Sequence, residues 1–321
     1  MSKILITGSL GQIGSELAAG LRKIHGTDKV IVSDIVKKDI PVANEGPFEI
    51  LDVSDGARIK SLIEKHKVDW VVHLAAILSA TGEKNPTLAW NVNMGGLFNV
   101  LEVARETGVS VFTPSSIAAF GPDTPKLDTP QDTLQRPTTM YGVTKVAGEI
   151  LSDYYNMKYG VDTRGVRFPG LISNETLPGG GTTDYAVHIY YEALKTRNFA
   201  CPIKKGTYMD MMYMPDALNA IVGLMNADPS KLKHRNAFNV AAMSFDPEEI
   251  YMAIKKYLPD FKMTYDLKPE LQKIADSWPD RLDDSAARNE WGWSPRYNLD
   301  SMTVDMLEKL NKKSDIKEKV S

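Results

Sequence analysis

Cysteine is nearly absent from this 321-residue sequence, with Cys201 the only one. A single thiol excludes an internal disulfide framework and a multi-thiolate zinc site. The five histidines, at positions 25, 66, 73, 188 and 234, are scattered without metal-ligand spacing, so no metal is expected. An excess of either charge is also missing. Lys and Arg number 38 against 41 Asp and Glu, for a formal net charge of −3, which gives no electrostatic reason to expect nucleic acid or a membrane surface as partner. No apolar run approaches the ~20 residues needed to cross a bilayer, and the apolar run at 3–7 reads as a first strand rather than as part of a leader. A metal-free, cytoplasmic protein is the expectation. With 43% hydrophobic and 25% charged residues, the chain can bury one large core or two modest ones.

The first 170 residues alternate short β-branched runs with segments of helix length. The runs predict strands at 4–7, 30–33, 48–51, 70–74, 109–113 and 163–168, and the segments between them predict helices at 12–25, 56–66, 88–107 and 140–159. Strand–helix alternation of this kind implies an α/β fold with a doubly wound parallel sheet. Beyond residue 168 the pattern loosens, and Pro178-Gly179-Gly180-Gly181 reads as a flexible loop. The division expected is a nucleotide-binding part over 1–170, joined again by segments near 207–240, and a smaller C-terminal α/β part over 171–321. The lysine-rich end at 312–321 reads as a frayed, solvated tail.

Gly8-Ser9-Leu10-Gly11-Gln12-Ile13-Gly14 follows the first strand and opens the first helix, where a dinucleotide-binding turn belongs. The first glycine permits the turn, the second admits a pyrophosphate and the third lets helix and strand pack closely. The spacing is G-x-x-G-x-x-G, one residue longer than the commonest form. Asp34 ends the second strand, 20 positions after Gly14. A carboxylate there suits ribose hydroxyls and repels a 2′-phosphate, favouring NAD over NADP, although Lys37 and Lys38 follow closely. Asp52 could meet an adenine amine or cap the next helix with Ser54. The small residues of Leu74-Ala75-Ala76 would let a cofactor approach, and Asn93 could brace that backbone or face solvent.

Tyr141 and Lys145 stand four residues apart, on one face of a helix. A cation near a phenol favours the phenolate, so Tyr141 is expected to titrate below the ~10 of free tyrosine. It could then take the proton of an alcohol as hydride leaves the same carbon. Ser115-Ser116 stands about one element earlier in the chain.

Together these features resemble the extended short-chain dehydrogenase/reductase superfamily: the glycine turn, His73-Leu74-Ala75-Ala76, Ser115-Ser116 before Phe120-Gly121, and Tyr141-x-x-x-Lys145. Most members with this layout are nucleotide-sugar epimerases, dehydratases or reductases. The chain departs from them where Arg167-Phe168-Pro169-Gly170 has glycine in place of an asparagine, and where Met209-Asp210 lacks an arginine. With Leu78-Ser79, Gly179-Gly180-Gly181-Thr182-Thr183-Asp184-Tyr185 and Ser277-Trp278-Pro279, it is more similar to the short-chain type of L-threonine 3-dehydrogenase, out to about residue 310. That resemblance implies zinc-free oxidation of L-threonine by NAD to 2-amino-3-ketobutyrate, with Tyr141 as base assisted by Lys145 and Ser116. It implies a cofactor site of Gly8, Gly11, Gln12, Ile13, Gly14, Asp34, Leu51, Asp52, Leu74, Ala75, Ala76, Asn93, Tyr141, Lys145 and Phe168. The substrate site it implies adds Ser79, Thr182, Thr183, Asp184 and Trp278 to Ser116 and Tyr141. Asp184 could neutralise the substrate ammonium or cap the following helix, and Trp278 could close as a lid or sit in a core. A homodimer is expected through the helix bearing Tyr141. The competing readings are a nucleotide-sugar 4-epimerase or dehydratase and a non-catalytic NAD-binding scaffold or sensor.

Overall fold

A computed structural model describes residues 2–320, with side chains described as far as residue 313. Six parallel strands form the main sheet: β1 (Ile4–Thr7), β2 (Val30–Asp34), β3 (Phe48–Ile50), β4 (Trp70–His73), β5 (Ser110–Phe112) and, after a two-residue strand β6 (Ser115–Ser116), β7 (Thr163–Arg164). Their order is β3-β2-β1-β4-β5-β7, so the chain reverses direction of travel across the sheet between β1 and β4. Ligands of doubly wound sheets bind in the crevice at such a reversal, beyond the carboxyl ends of the strands. Helices α1 (Gln12–His25), α2 (Gly56–His66), α3 (Gly96–Thr107) and α4 (Met140–Tyr159) cover the two faces.

Burial explains the strand pattern. Ile4 and Ile6 point into a core with Leu17 and Leu21 of α1, while Leu5 points to the opposite face, against Ile59, Leu62, Val100 and Leu101. A strand buried on both sides must be apolar throughout.

Two expected elements are broken and a third is shortened. The 109–113 strand is observed as β5, and β6 lies beyond its expected end, past Pro114, which has no N–H for a ladder. The 163–168 strand divides at Gly165 into β7 and β8 (Val166–Phe168). A Cβ at Gly165 would lie 2.4 Å from the Thr113 carbonyl oxygen. Strand β8 then pairs with β6 on one side and β12 (Phe238–Asn239) on the other. The 88–107 helix is interrupted by a wider π-turn at Asn91–Gly95, which sets off Pro86–Trp90 from α3.

The second half has its own core. Strands β9 (Gly170–Ile172), β11 (Met209–Tyr213) and β13 (Met243–Phe245) form a small mixed sheet, and β10 (Asn198–Cys201) pairs with β14 (Lys262–Tyr265). Tyr185, Tyr190, Cys201, Phe245, Phe261 and Met306 pack together there. Along β11 the side chains alternate, Met209, Met211 and Tyr213 entering this core and Met212 entering the one below the main sheet. Helix α5 (Tyr185–Lys195) lies in the second core, whereas α6 (Met214–Asn226) packs on α1. Trp278 is a member of the second core and 6% exposed, so the lid reading gives way to the packing one. The last helix, α7 (Leu299–Val320), continues through most of the segment read as a frayed tail. The side chains after residue 313, and Ser321, lie outside the described residues.

Candidate active site

The glycine turn is built by close approach. Gly8 has φ +65°, and a Cβ on it would lie 2.7 Å from the Ala75 backbone, so the turn and the end of β4 touch. A Cβ on Gly14 would lie 2.7 Å from Ser9 Cα, so the third glycine lets the helix start pack against the turn itself. Gly11 differs. It is exposed, and a Cβ there would meet only the Gly8 carbonyl oxygen, at 3.4 Å. Nothing else among the described residues requires glycine at that position, whereas a phosphate approaching the N-terminus of α1 would. The cradle therefore fits a dinucleotide pyrophosphate.

Asp34 accepts the Leu10 N–H at 3.1 Å and the Ile35 N–H at 2.9 Å, tying the end of β2 to the turn. Exposed Ile35 and Val36 flank it. Asp52 accepts the Ser54 N–H at 2.9 Å, and the cap of α2 is Asp55, whose carboxylate takes the Arg58 N–H. The capping role expected of Asp52 thus belongs to Asp55. Leu51 and Phe168 are 2% and 4% exposed, their side chains committed to the cores. Only their backbone remains for a ligand.

Asn93 braces the site. From the π-turn its amide accepts the Ile77 N–H at 2.7 Å and donates to the Ile77 carbonyl at 3.1 Å and to Thr144 Oγ1 at 3.1 Å. Leu74, Ala75 and Ala76 are thereby fixed against the helix of Tyr141, and together with Asn93, Pro114, Thr144 and Lys145 they line one cavity.

Tyr141 stands beside Ser116 for a steric reason. Thr139 caps α4, accepting the Gly142 N–H at 3.1 Å, and a Cβ on Gly142 would lie 2.2 Å from the Ala118 carbonyl. The helix start is therefore pressed onto the Ser116–Ala119 turn, which puts the Ser116 side chain close enough to the Tyr141 hydroxyl to influence its titration. Ser115 is turned away and donates to Glu149. Lys145 Nζ donates to the Pro114 carbonyl at 2.7 Å and lies 5.3 Å from the centre of the Tyr141 ring.

The electrostatics correct one expectation. Burial pushes the Tyr141 phenol up to about 12, only partly offset by the Ser116 hydrogen bond. The lysine charge sits over the ring rather than against the hydroxyl, and a desolvated phenol resists ionising. Lys145 is itself brought down to about 8 by burial, with Glu149 opposing. His73, hydrogen-bonded through Nδ1 to Thr7 Oγ1 at 2.9 Å, is held down to about 3 by burial and by the Lys145 charge. It is a neutral wall of the site.

The NAD dependent epimerase/dehydratase family matches residues 4–241. An uncharacterized epimerase/dehydratase of Staphylococcus aureus (strain MRSA252) is 58% identical over 319 residues, 99% of either chain. The chain belongs to this family. Among solved structures it is similar to an L-threonine dehydrogenase from Clostridium difficile, at 61% identity and TM-score 0.96 over 98% of both chains. It is also similar to a monomeric L-threonine 3-dehydrogenase from a metagenome, at 44% identity and TM-score 0.92 over 96% of this chain and 99% of that one.

Within this member of the epimerase/dehydratase family, the second-half residues gather around β9. A Cβ on Gly170 would lie 2.4 Å from Met211 Sδ and 2.8 Å from Thr183 Cβ, so no asparagine side chain fits there and Thr183 packs in its place. The Thr182 hydroxyl is buried without a hydrogen-bond partner. Asp184 accepts the Gly180 and Gly181 N–H groups at 2.9 and 2.6 Å. It holds the glycine loop from behind instead of capping forward into α5. Gly179 reaches Leu78, next to the buried Ser79. Among the described residues no cluster of His, Cys, Asp or Glu could hold a metal ion, and no helix is long and apolar enough to cross a membrane.

Sequence reasoning missed Glu149. It accepts Arg167 Nε and Nη2 at 3.1 and 2.9 Å and Gln135 Nε2 at 2.8 Å, a buried bidentate pair directly behind Ser115. The signal was present, since Glu149 continues the Tyr141–Lys145 spacing by another four residues.

Proposed function

We propose that this protein is an NAD-dependent L-threonine 3-dehydrogenase, oxidising the 3-hydroxyl of L-threonine to the ketone of 2-amino-3-ketobutyrate. The observation that carries the reading is the helix of Tyr141 and Lys145 pressed at Gly142 onto the Ser116–Ala119 turn, in a chain 61% identical to a solved L-threonine dehydrogenase. Bound NAD would supply the hydride acceptor and a positive ring that favours ionisation of a nearby phenol. Tyr141 removes the hydroxyl proton, and Ser116 keeps the oxygen in place as alcohol becomes ketone. Lys145, which donates to the Pro114 carbonyl here, would instead donate to the nicotinamide ribose hydroxyls and so tie cofactor binding to the base. Gly11, the α1 N-terminus and Asp34 hold the dinucleotide. Ser79, Thr182 and Thr183 receive the substrate carboxylate, the unpartnered Thr182 hydroxyl being the best placed donor. Asp184 serves by shaping the loop.

The reading assigns residues 1–170 with 207–240 to NAD and most of 171–321 to substrate. It includes a cytoplasmic setting, supported by a lone buried thiol. It also includes a homodimer formed through the exposed apolar face of α3 and α4.

An NADH absorbance assay across L-threonine, L-serine, 3-hydroxybutyrate and UDP-sugars, run before and after prolonged EDTA treatment, tests the reading. NAD reduction with L-threonine that survives EDTA is expected. Turnover of a UDP-sugar without threonine oxidation, or activity restored only by zinc, would sink it.

A further inference from the structure

The four residues after β9 fasten the two halves together. Ser173 is fully buried, and its hydroxyl donates to Glu16, on the second turn of α1. Thr176 Oγ1 lies 3.1 Å from Ser15 Oγ, and Gln12 Nε2 donates to the Thr176 carbonyl at 3.4 Å. Three successive contacts thus join this segment to the helix whose first turn faces the cofactor cradle. On its other side Lys313 Nζ donates to the Asn174 carbonyl at 2.8 Å and to Glu175 at 2.6 Å. Asn174 Nδ2 donates to the Tyr213 hydroxyl, which donates to Asp305 at 2.5 Å. The chain then runs directly into the glycine loop and to Thr182 and Thr183.

We propose that Glu16 and Ser173 form a latch between the phosphate-binding helix and the substrate loop, making Glu16 a positioning residue that couples NAD binding to L-threonine binding. The proposal rests on the function proposed above. Glu16 is not among the residues assigned to either ligand, and its half-buried carboxylate makes no ion pair within contact distance among the described residues. Burial raises it to about 7; the Ser173 hydrogen bond and the more distant Lys313 and Lys309 charges lower it, and Glu175 opposes them. Tyr191 also feels its field. A carboxyl kept in such surroundings is costly unless its hydrogen bond has a use. Anchoring α1 by the bound pyrophosphate fixes Glu16, which fixes Ser173, and Thr182 follows nine residues later on a short tether. Two ligands that order the same segment bind with positive coupling.

The test uses Glu16→Ala, Glu16→Gln and Ser173→Ala in the full chain. L-Threonine binding is measured calorimetrically with and without NADH, a pair that cannot react. Hydrogen exchange over 173–184 is followed with and without NADH alone. Wild type should bind L-threonine at least ~10-fold more tightly with NADH present, a coupling of about 1.4 kcal/mol, and NADH should slow exchange in the segment. Glu16→Ala and Ser173→Ala should reduce the coupling to ~2-fold or less and abolish the added protection. KM for L-threonine should rise ~5- to 10-fold with kcat within ~3-fold, and Glu16→Gln, which keeps an acceptor, should behave as wild type. A Glu16→Ala chain that only melts earlier, with coupling and protection intact, would overturn the latch. If L-threonine is not a substrate, the exchange experiment still decides: protection by NADH lost in Glu16→Ala supports the latch, and protection retained overturns it.

Discussion

At the scale of the residue, the structure turns the Tyr141–Lys145 pair from two neighbours into two desolvated groups with displaced titrations. Tyr141→Phe keeps the ring packing and removes the base, so turnover should fall at least ~100-fold while NAD affinity is nearly kept; near-wild-type rates in a stopped assay would refute the role. Lys145 carries a stability consequence with a definite sign. Its folded value near 8 lies below the ~10.4 of an exposed lysine, so the folded state is penalised below pH 8, where the buried ammonium is charged. Between about 8 and 10.4 the unfolded chain binds more protons than the folded one, and stability gains with rising pH. Lys145→Met should therefore stabilise the cofactor-free protein at pH 7 by about 1–3 kcal/mol, an advantage that shrinks toward pH 10.5. Melting curves of both proteins across that range check it, and a gap that widened with pH would contradict the assignment. NAD binding should weaken in the same variant.

At the scale of the element, α4 shows packing overruling propensity. Alanine is about 1 kcal/mol better than glycine inside a helix, so Gly142→Ala would stabilise α4 in isolation. In the fold its methyl would sit 2.2 Å from the Ala118 carbonyl, forcing the helix start away from the Ser116 turn. The expected result is a loss of ~1–3 kcal/mol and a fall in activity of ~10-fold or more, with helical circular dichroism unchanged. A more stable, fully active variant would show that the close approach does not set the Tyr141–Ser116 contact. The broken elements have the same origin. Periodicity located 163–168 as one strand because Thr163 to Phe168 are all compatible with extension. The clash at Gly165 and the pairing partners of β8 are long-range facts that no local pattern contains.

At the scale of the whole molecule, the surface of α3 and α4 is the feature still unaccounted for within one chain. Phe98, Val143, Ile150, Tyr154 and Met157 are exposed there, Ile150 at 63% and Met157 at 78%. The homodimer proposed above would cover these exposed apolar side chains, pairing the same two helices of each copy about a two-fold axis. Ile150→Glu with Met157→Glu should shift sedimentation from dimer to monomer without unfolding the chain. A wild-type monomer, like the similar metagenomic enzyme described as monomeric, would remove the dimer from the reading.

The division between what was written locally and what was not follows the range of the interactions. Gly8, Gly11 and Gly14, the apolar strands, and the four-residue step from Tyr141 to Lys145 report local geometry, so α1, α2 and α4 and the cofactor turn could be read residue by residue. The choice of Ser116 over Ser115 came from the family resemblance, and the structure turns Ser115 away toward Glu149. Tertiary structure decided everything that depends on burial or on partners far along the chain. It set the direction of the Tyr141 shift, because desolvation outweighs a cation held over the ring. It paired Glu149 with Arg167, put Trp278 in a core, gave the α2 cap to Asp55, and brought Ser173 to Glu16 across 157 positions. Those outcomes are sums over neighbours supplied by the fold, and a one-dimensional pattern carries the neighbours only within a turn or a strand.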